Sequence, residues 1–145
     1  MKRIPILLAV FASLAFAGGA LAKGSPSQLK VRKTSIGQIL VDRGGLTVYE
    51  FTRDRGTHDS CVTISQCPLA WPALTSTGKP LAGPGVNRRL LGTITLAGGA
   101  RQVTYAGHPL YTYVGDSGPG QTSYVGFSNF GGRWYALTAS GRAIK

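Results

Sequence analysis

The chain has 145 residues, including 21 Gly, 8 Pro and 2 Cys, and its 16 Lys+Arg against 5 Asp+Glu give a formal charge of +11. That length suits one domain, and the glycine content speaks against a helical bundle and for a turn-rich β fold. With 43% apolar and only 14% charged residues the body is not a disordered chain, while the charge raises nucleic acid and membrane surfaces as partners.

In chain order, Met1, Lys2 and Arg3 form a basic start and Ile4 to Ala17 an apolar run. Ala20-Leu21-Ala22 then supplies a small-x-small cleavage signature, so residues 1–22 read as a signal peptide cleaved near Ala22. The apolar run is shorter than the roughly 20 residues a spanning helix needs, and no later segment is apolar enough to span. The mature chain, 23–145, is expected to be exported, periplasmic or secreted, with a formal charge lowered to +9 by the loss of Lys2 and Arg3. No cysteine follows the cleavage site to accept a lipid.

Two β-hairpins are predicted next. Ile39 to Val41 leads through Asp42-Arg43-Gly44-Gly45 into Leu46 to Phe51, and Gln102 to Tyr105 through Ala106-Gly107-His108-Pro109 into Leu110 to Val114. Lys30 and Arg32 share one face of a further strand. Cys61 and Cys67 follow the first hairpin; in an exported chain they are expected to form a disulfide. Their spacing is neither the C-x2-C of zinc sites nor the C-x-x-C of redox centres. Around Trp71 a strand matching Trp134–Thr138 is weakened by Pro72, which cannot donate to a ladder, and a short helical turn from Cys67 to Trp71 is the alternative. A last hairpin is expected from Trp134–Thr138 and Arg142–Ile144.

These elements repeat. Trp71-Pro-Ala-Leu-Thr-Ser-Thr-Gly-Lys-Pro-Leu81 aligns without gaps on Trp134-Tyr-Ala-Leu-Thr-Ala-Ser-Gly-Arg-Ala-Ile144 at an offset of 63. Gly45 to Asp54 aligns on Gly107 to Asp116 at 62, and Gly37 and Val41 meet Gly99 and Val103 at that offset. The mature chain is therefore two copies of a unit of about 62 residues: repeat one 29–81, linker 82–90, repeat two 91–144. Neither half can bury much core alone, so one all-β domain, a hairpin-rich sandwich or barrel-like unit, is expected.

Both copies carry Tyr-x-[Phe/Tyr]-x-x-Asp: Tyr49, Phe51 and Asp54; Tyr111, Tyr113 and Asp116. Strand alternation puts the two aromatics of each copy on one face, with Val48 or Leu110 opposite. Each Asp falls just past its strand, where it can accept backbone N–H bonds of a turn or a tyrosine O–H. Two readings stand. The aromatics are core and the Asp a turn cap, or the six residues form two quasi-equivalent ligand sites suited to a sugar or a cation.

The tandem motif, with Ile39-Leu-Val-Asp42, the Cys…Cys…Trp71-Pro72 block, Gln102 to Tyr111 and the closing Trp134-Tyr135, resembles the bacterial secreted-repeat family, whose members are often lipoproteins. The resemblance covers nearly all of residues 29–144. It implies an envelope or secreted location and a tandem repeat, and carries no activity to transfer. The missing lipid-accepting cysteine sets this chain apart from the lipoprotein pattern.

Gly115-Asp-Ser-Gly118 resembles a serine-protease nucleophile loop, but the chain is too short for that fold's two barrels and neither His58 nor His108 has the required setting. Asp116 is better explained as the counterpart of Asp54. His58, Cys61, Cys67 and His108 are the residues a metal would need, yet the cysteines are private to copy one, as a local staple would be; no metal, cofactor or catalytic residue is assigned. The basic residues are scattered and no nucleic-acid module is present. The expectation is a non-enzymatic exported binding or structural component of the envelope, with anionic lipid headgroups or cell-wall polymers as partners. The alternative is a periplasmic metal- or redox-handling protein using Tyr, Asp, His and the Cys pair.

Overall fold

The computed structural model describes residues 24–145; the signal-peptide segment and its cleavage point near Ala22 lie outside them. The chain folds as an all-β unit of three small sheets that do not close into a barrel. β1 (Gln28–Thr34) and β2 (Gly37–Val41) form an antiparallel hairpin, and β4 (Leu81–Ala82) joins β1 in parallel. β5 (Leu91–Thr95), β6 (Arg101–Tyr105) and β7 (His108–Pro109) make the matching sheet of copy two. Between them β3 (Tyr49–Phe51), β9 (Gly132–Leu137) and β10 (Ala143–Ile144) pair side by side, with β8 (Ser128–Asn129) on the end of β9. The segment 82–90, read as a linker, thus begins as a strand and ends in a 3-10 turn, Arg88–Leu90, capped by the Asn87 side chain.

The repeats exchange their partners. The motif strand of copy one, β3, pairs with β9 of copy two, Tyr49 opposite Ala136 and Phe51 opposite Trp134. The motif segment of copy two pairs with copy one: Tyr111 faces Ala73, and the N–H groups of Thr112 and Val114 donate to the carbonyls of Pro72 and Ala70. Copy one has isolated bridges where copy two has a six-residue strand, because Pro72 brings no N–H to the ladder. At the centre Tyr49 and Tyr111 exchange both backbone bonds, N–H to O at 2.9 and 3.0 Å, so an approximate twofold axis runs between them.

The hydrogen bonds also correct one detail of the repeat. Val48 N–H donates to Leu40 O and Leu110 N–H to Val103 O, while Val41 bridges Thr47 as Thr104 pairs Pro109. Leu40, not Val41, is therefore the counterpart of Val103. The turn after β2 is one residue longer than the turn after β6, and a gapless match across it slips by one.

Two cores lie on opposite faces of the motif strands, as their alternation requires. Val48 and Leu110 join Leu29, Leu40, Val103, Tyr105 and Leu137 in an aliphatic core. Tyr49, Phe51, Tyr111, Trp71 and Trp134 form an aromatic core with Cys61 and Cys67, which are bonded to each other. A helical turn, α1 (Cys67–Ala70), delivers Trp71 to that core. Gly132 lets β9 pass close to β3: a Cβ there would sit 2.6 Å from the Phe51 ring.

Candidate functional site

The six motif residues meet across the repeats. Tyr49 Oη donates to Asp116 Oδ2 at 2.9 Å, and Tyr111 Oη donates to Asp54 Oδ2 at 3.0 Å. Each tyrosine therefore bonds the aspartate of the other copy. Asp54 also accepts the Ser60 N–H at 2.8 Å, so it caps the turn and takes a phenol at once. Phe51 and Tyr113 complete a ladder of rings, Phe51–Trp134–Trp71–Tyr113, with centroids 4.0, 4.0 and 4.2 Å apart. Tyr49 and Tyr111 meet the edges of this ladder, each 5.1 Å from a tryptophan. Such pairs add about 0.5–1.5 kcal/mol each beyond their buried area.

Burial shapes the titration of these groups. Taken out of water and facing a carboxylate, Tyr49 and Tyr111 are held well above the ordinary phenol range, so their hydroxyls stay donors. Burial lifts Asp54 to about 6, against the counter-effect of its bonds to Ser60 and Tyr111. Asp116 is raised by burial as well.

The two ends of the axis differ. At the copy-two end, the Ser117 N–H and hydroxyl both donate to Gln121 Oε1 at 2.8 Å. The Thr47 hydroxyl donates to Gln121 O and Gly120 N–H to Gly45 O, so loop 117–121 is tied down on copy one. At the copy-one end a cleft of about 370 Å³ opens, lined by Glu50, Thr52, Asp54, His108, Tyr135 and Lys145. Glu50 is nearly buried, and His108 Nδ1 lies 2.8 Å from its Oε2. That hydrogen bond, opposed by partial burial, raises the His108 pKa above its usual value. Glu50, Asp59 and His108 correspond to Thr112, Gln121 and Leu46, so the acid–histidine pair, one residue from each copy, has no counterpart at the copy-two end of the axis. Glu50, inside the motif at a variable position, was missed by the sequence reading, and His108 was weighed there only for protease and metal chemistry. The signal that marks both is their asymmetry between the copies.

Residues 92–138 match the model of a secreted repeat of unknown function. The match falls within copy two and bears out, at family level, the resemblance read from the motifs. Neither the curated proteins nor the solved structures contain a match to the chain. The secreted repeat agrees with an exported protein and brings no activity with it. Among the described residues no group of three or more His, Cys, Asp or Glu is placed to hold a metal ion, and no helix is long and apolar enough to cross a membrane.

Proposed function

We propose that the protein is an exported, non-enzymatic binding or structural component of the cell envelope, attached to anionic partners through its cations. One observation carries this reading: the carboxylates point inward and the cations outward. Asp42 accepts Leu46 N–H, Asp59 accepts Val62 N–H, Asp54 and Asp116 accept tyrosine hydroxyls, and Glu50 holds His108. All five acids are thus engaged within the fold. Of the thirteen Lys and Arg in residues 24–145, twelve are exposed and Lys30 is half-buried. Among the described residues none of them pairs with a carboxylate. A surface so composed attracts anionic headgroups or polymers over roughly a Debye length.

The metal- or redox-handling alternative finds less in this arrangement. The cysteines are already bonded to each other and buried, and the tyrosine hydroxyls already face carboxylates. The test is sedimentation of residues 23–145 with vesicles of phosphatidylglycerol and of phosphatidylcholine, and with cell-wall pellets, across a salt series. Binding to the anionic materials that falls steeply with salt is expected; equal retention on the neutral vesicles contradicts the reading.

A further inference from the structure

The structure assigns a small-oxyanion site to the copy-one cleft: we propose that His108, oriented by Glu50, binds a carboxylate or phosphate group there together with Lys145 and Tyr135. The inference rests on the anionic-partner reading and gives it a place.

The bonds already made in the cleft decide which groups remain. Both Asp54 oxygens are occupied, one by Ser60 N–H and one by the Tyr111 hydroxyl. Glu50 Oε2 is occupied by His108 Nδ1, which leaves Oε1 as the one carboxylate oxygen of the pair without a partner. Against it stand three groups with no protein partner among the described residues: the second ring nitrogen of His108, the Lys145 ammonium and the Tyr135 hydroxyl. All three are donors when His108 is protonated, and two are then cations. A carboxylate behind an imidazole fixes which nitrogen faces outward and favours the protonated ring, which is how a histidine is made an anion donor. The pseudo-symmetric end supplies the contrast: Leu46 replaces His108, Thr112 replaces Glu50, and loop 117–121 is tied across by Gln121. Among the described residues, the acid–histidine pair and the cleft beside it stand at the copy-one end of the axis.

Protons govern the occupancy. His108 faces Glu50 from β3 and Asp54 from the turn beyond it, with Tyr135 on β9 and Lys145 at the cleft wall; Asp54 in turn faces Asp59, Ser60 and Tyr111. As pH falls through about 6, Asp54 becomes neutral and one repulsive charge leaves the cleft. As pH rises past the elevated His108 value, the donor cation is lost. Oxyanion binding should therefore strengthen on mild acidification and weaken in alkali.

The experiment is an NMR titration of residues 23–145 with inorganic phosphate and, separately, sodium acetate, at pH 5.5, 6.5 and 8.5 and constant ionic strength. Expected are saturable shifts of the His108 ring signals and of the Thr52 and Tyr135 amide signals beside the cleft, up to about threefold tighter at pH 5.5 than at 6.5 and weakest at 8.5. His108→Gln, which keeps a donor toward Glu50, should abolish saturation at every pH. Asp54→Asn should flatten the dependence between pH 5.5 and 6.5 while the weakening at 8.5 persists. Comparing the two titrants separates phosphate-bearing from carboxylate-bearing sources. Non-saturable shifts, or saturation unchanged in His108→Gln, overturn the site. Salt-sensitive vesicle binding with no His108 response would remove the cleft and keep the surface reading; a His108 response without vesicle or wall binding would do the reverse.

Discussion

Trp71 and Trp134 hold the same position in the two repeats and stack on each other, rings 4.0 Å apart and within 3° of parallel. Each copy thus supplies half of one aromatic column, and each is flanked by the other copy's motif ring, Tyr113 on Trp71 and Phe51 on Trp134. The repeat is consequently not a bead on a string. Its motif strand, its tryptophan and its aspartate all find their partners across the axis.

The tryptophans differ in one atom's surroundings. Trp134 Nε1 donates to Asn129 Oδ1 at 2.6 Å, whereas Trp71 Nε1 is buried with no partner among the described residues. Gln66, at the place corresponding to Asn129, is exposed. Trp134→Phe should therefore cost more than Trp71→Phe by about 1–2 kcal/mol, since only the first gives up a hydrogen bond. Urea unfolding of the two variants measures the difference.

The disulfide closes a short loop and both of its cysteines are buried. The double Cys61→Ser, Cys67→Ser variant should lose roughly 2–3 kcal/mol in the chain-entropy account, with added cost from hydroxyls placed in the aromatic core. Denaturant midpoints of the variant and parent test this. Because the bond is shielded, the native parent should resist a thiol reductant that reduces it readily once denaturant is added.

Stability should fall as pH rises from mildly acidic to alkaline. Asp54, at about 6 in the fold against 3.8 as its ordinary value, binds its proton more tightly folded than unfolded. Its contribution is full below 3.8 and lost as pH climbs through about 6. Asp116 and His108 are raised too and act in the same sense, His108 losing its contribution as pH passes its elevated value. Urea midpoints at pH 5 and pH 8 should rank in favour of pH 5, and Asp54→Asn should narrow the gap.

Much of this was legible in the residues. The alternation Val48-Tyr49-Glu50-Phe51 told which side chains share a face, and Pro72 foretold the weaker partner of Tyr111. The helical turn at Cys67, the disulfide and the closing hairpin follow from local chemistry and were readable for that reason. The exchange between repeats was not. A repeat alignment shows that Tyr49 equals Tyr111 and Asp54 equals Asp116, but it is silent on whether Tyr49 meets Asp54 or Asp116, because either pairing satisfies the same pattern. The short strands β4 and β5 escaped notice since Leu81-Ala82 and Leu91-Gly92 carry no alternation long enough to register. The cleft escaped because Glu50 and His108 lie 58 positions apart and are joined only by folding.

The central claim is that the Tyr-x-[Phe/Tyr]-x-x-Asp motif joins the two copies to each other. A double-mutant cycle of Tyr49→Phe and Asp116→Asn by equilibrium urea unfolding tests it most directly. The bond across the axis predicts losses that are not additive, with an interaction energy of about 0.5–3 kcal/mol, and a companion cycle of Tyr49→Phe with Asp54→Asn that sums to within about 0.5 kcal/mol. Additive losses in the first cycle and coupling in the second would place each tyrosine on its own repeat's aspartate and contradict the account.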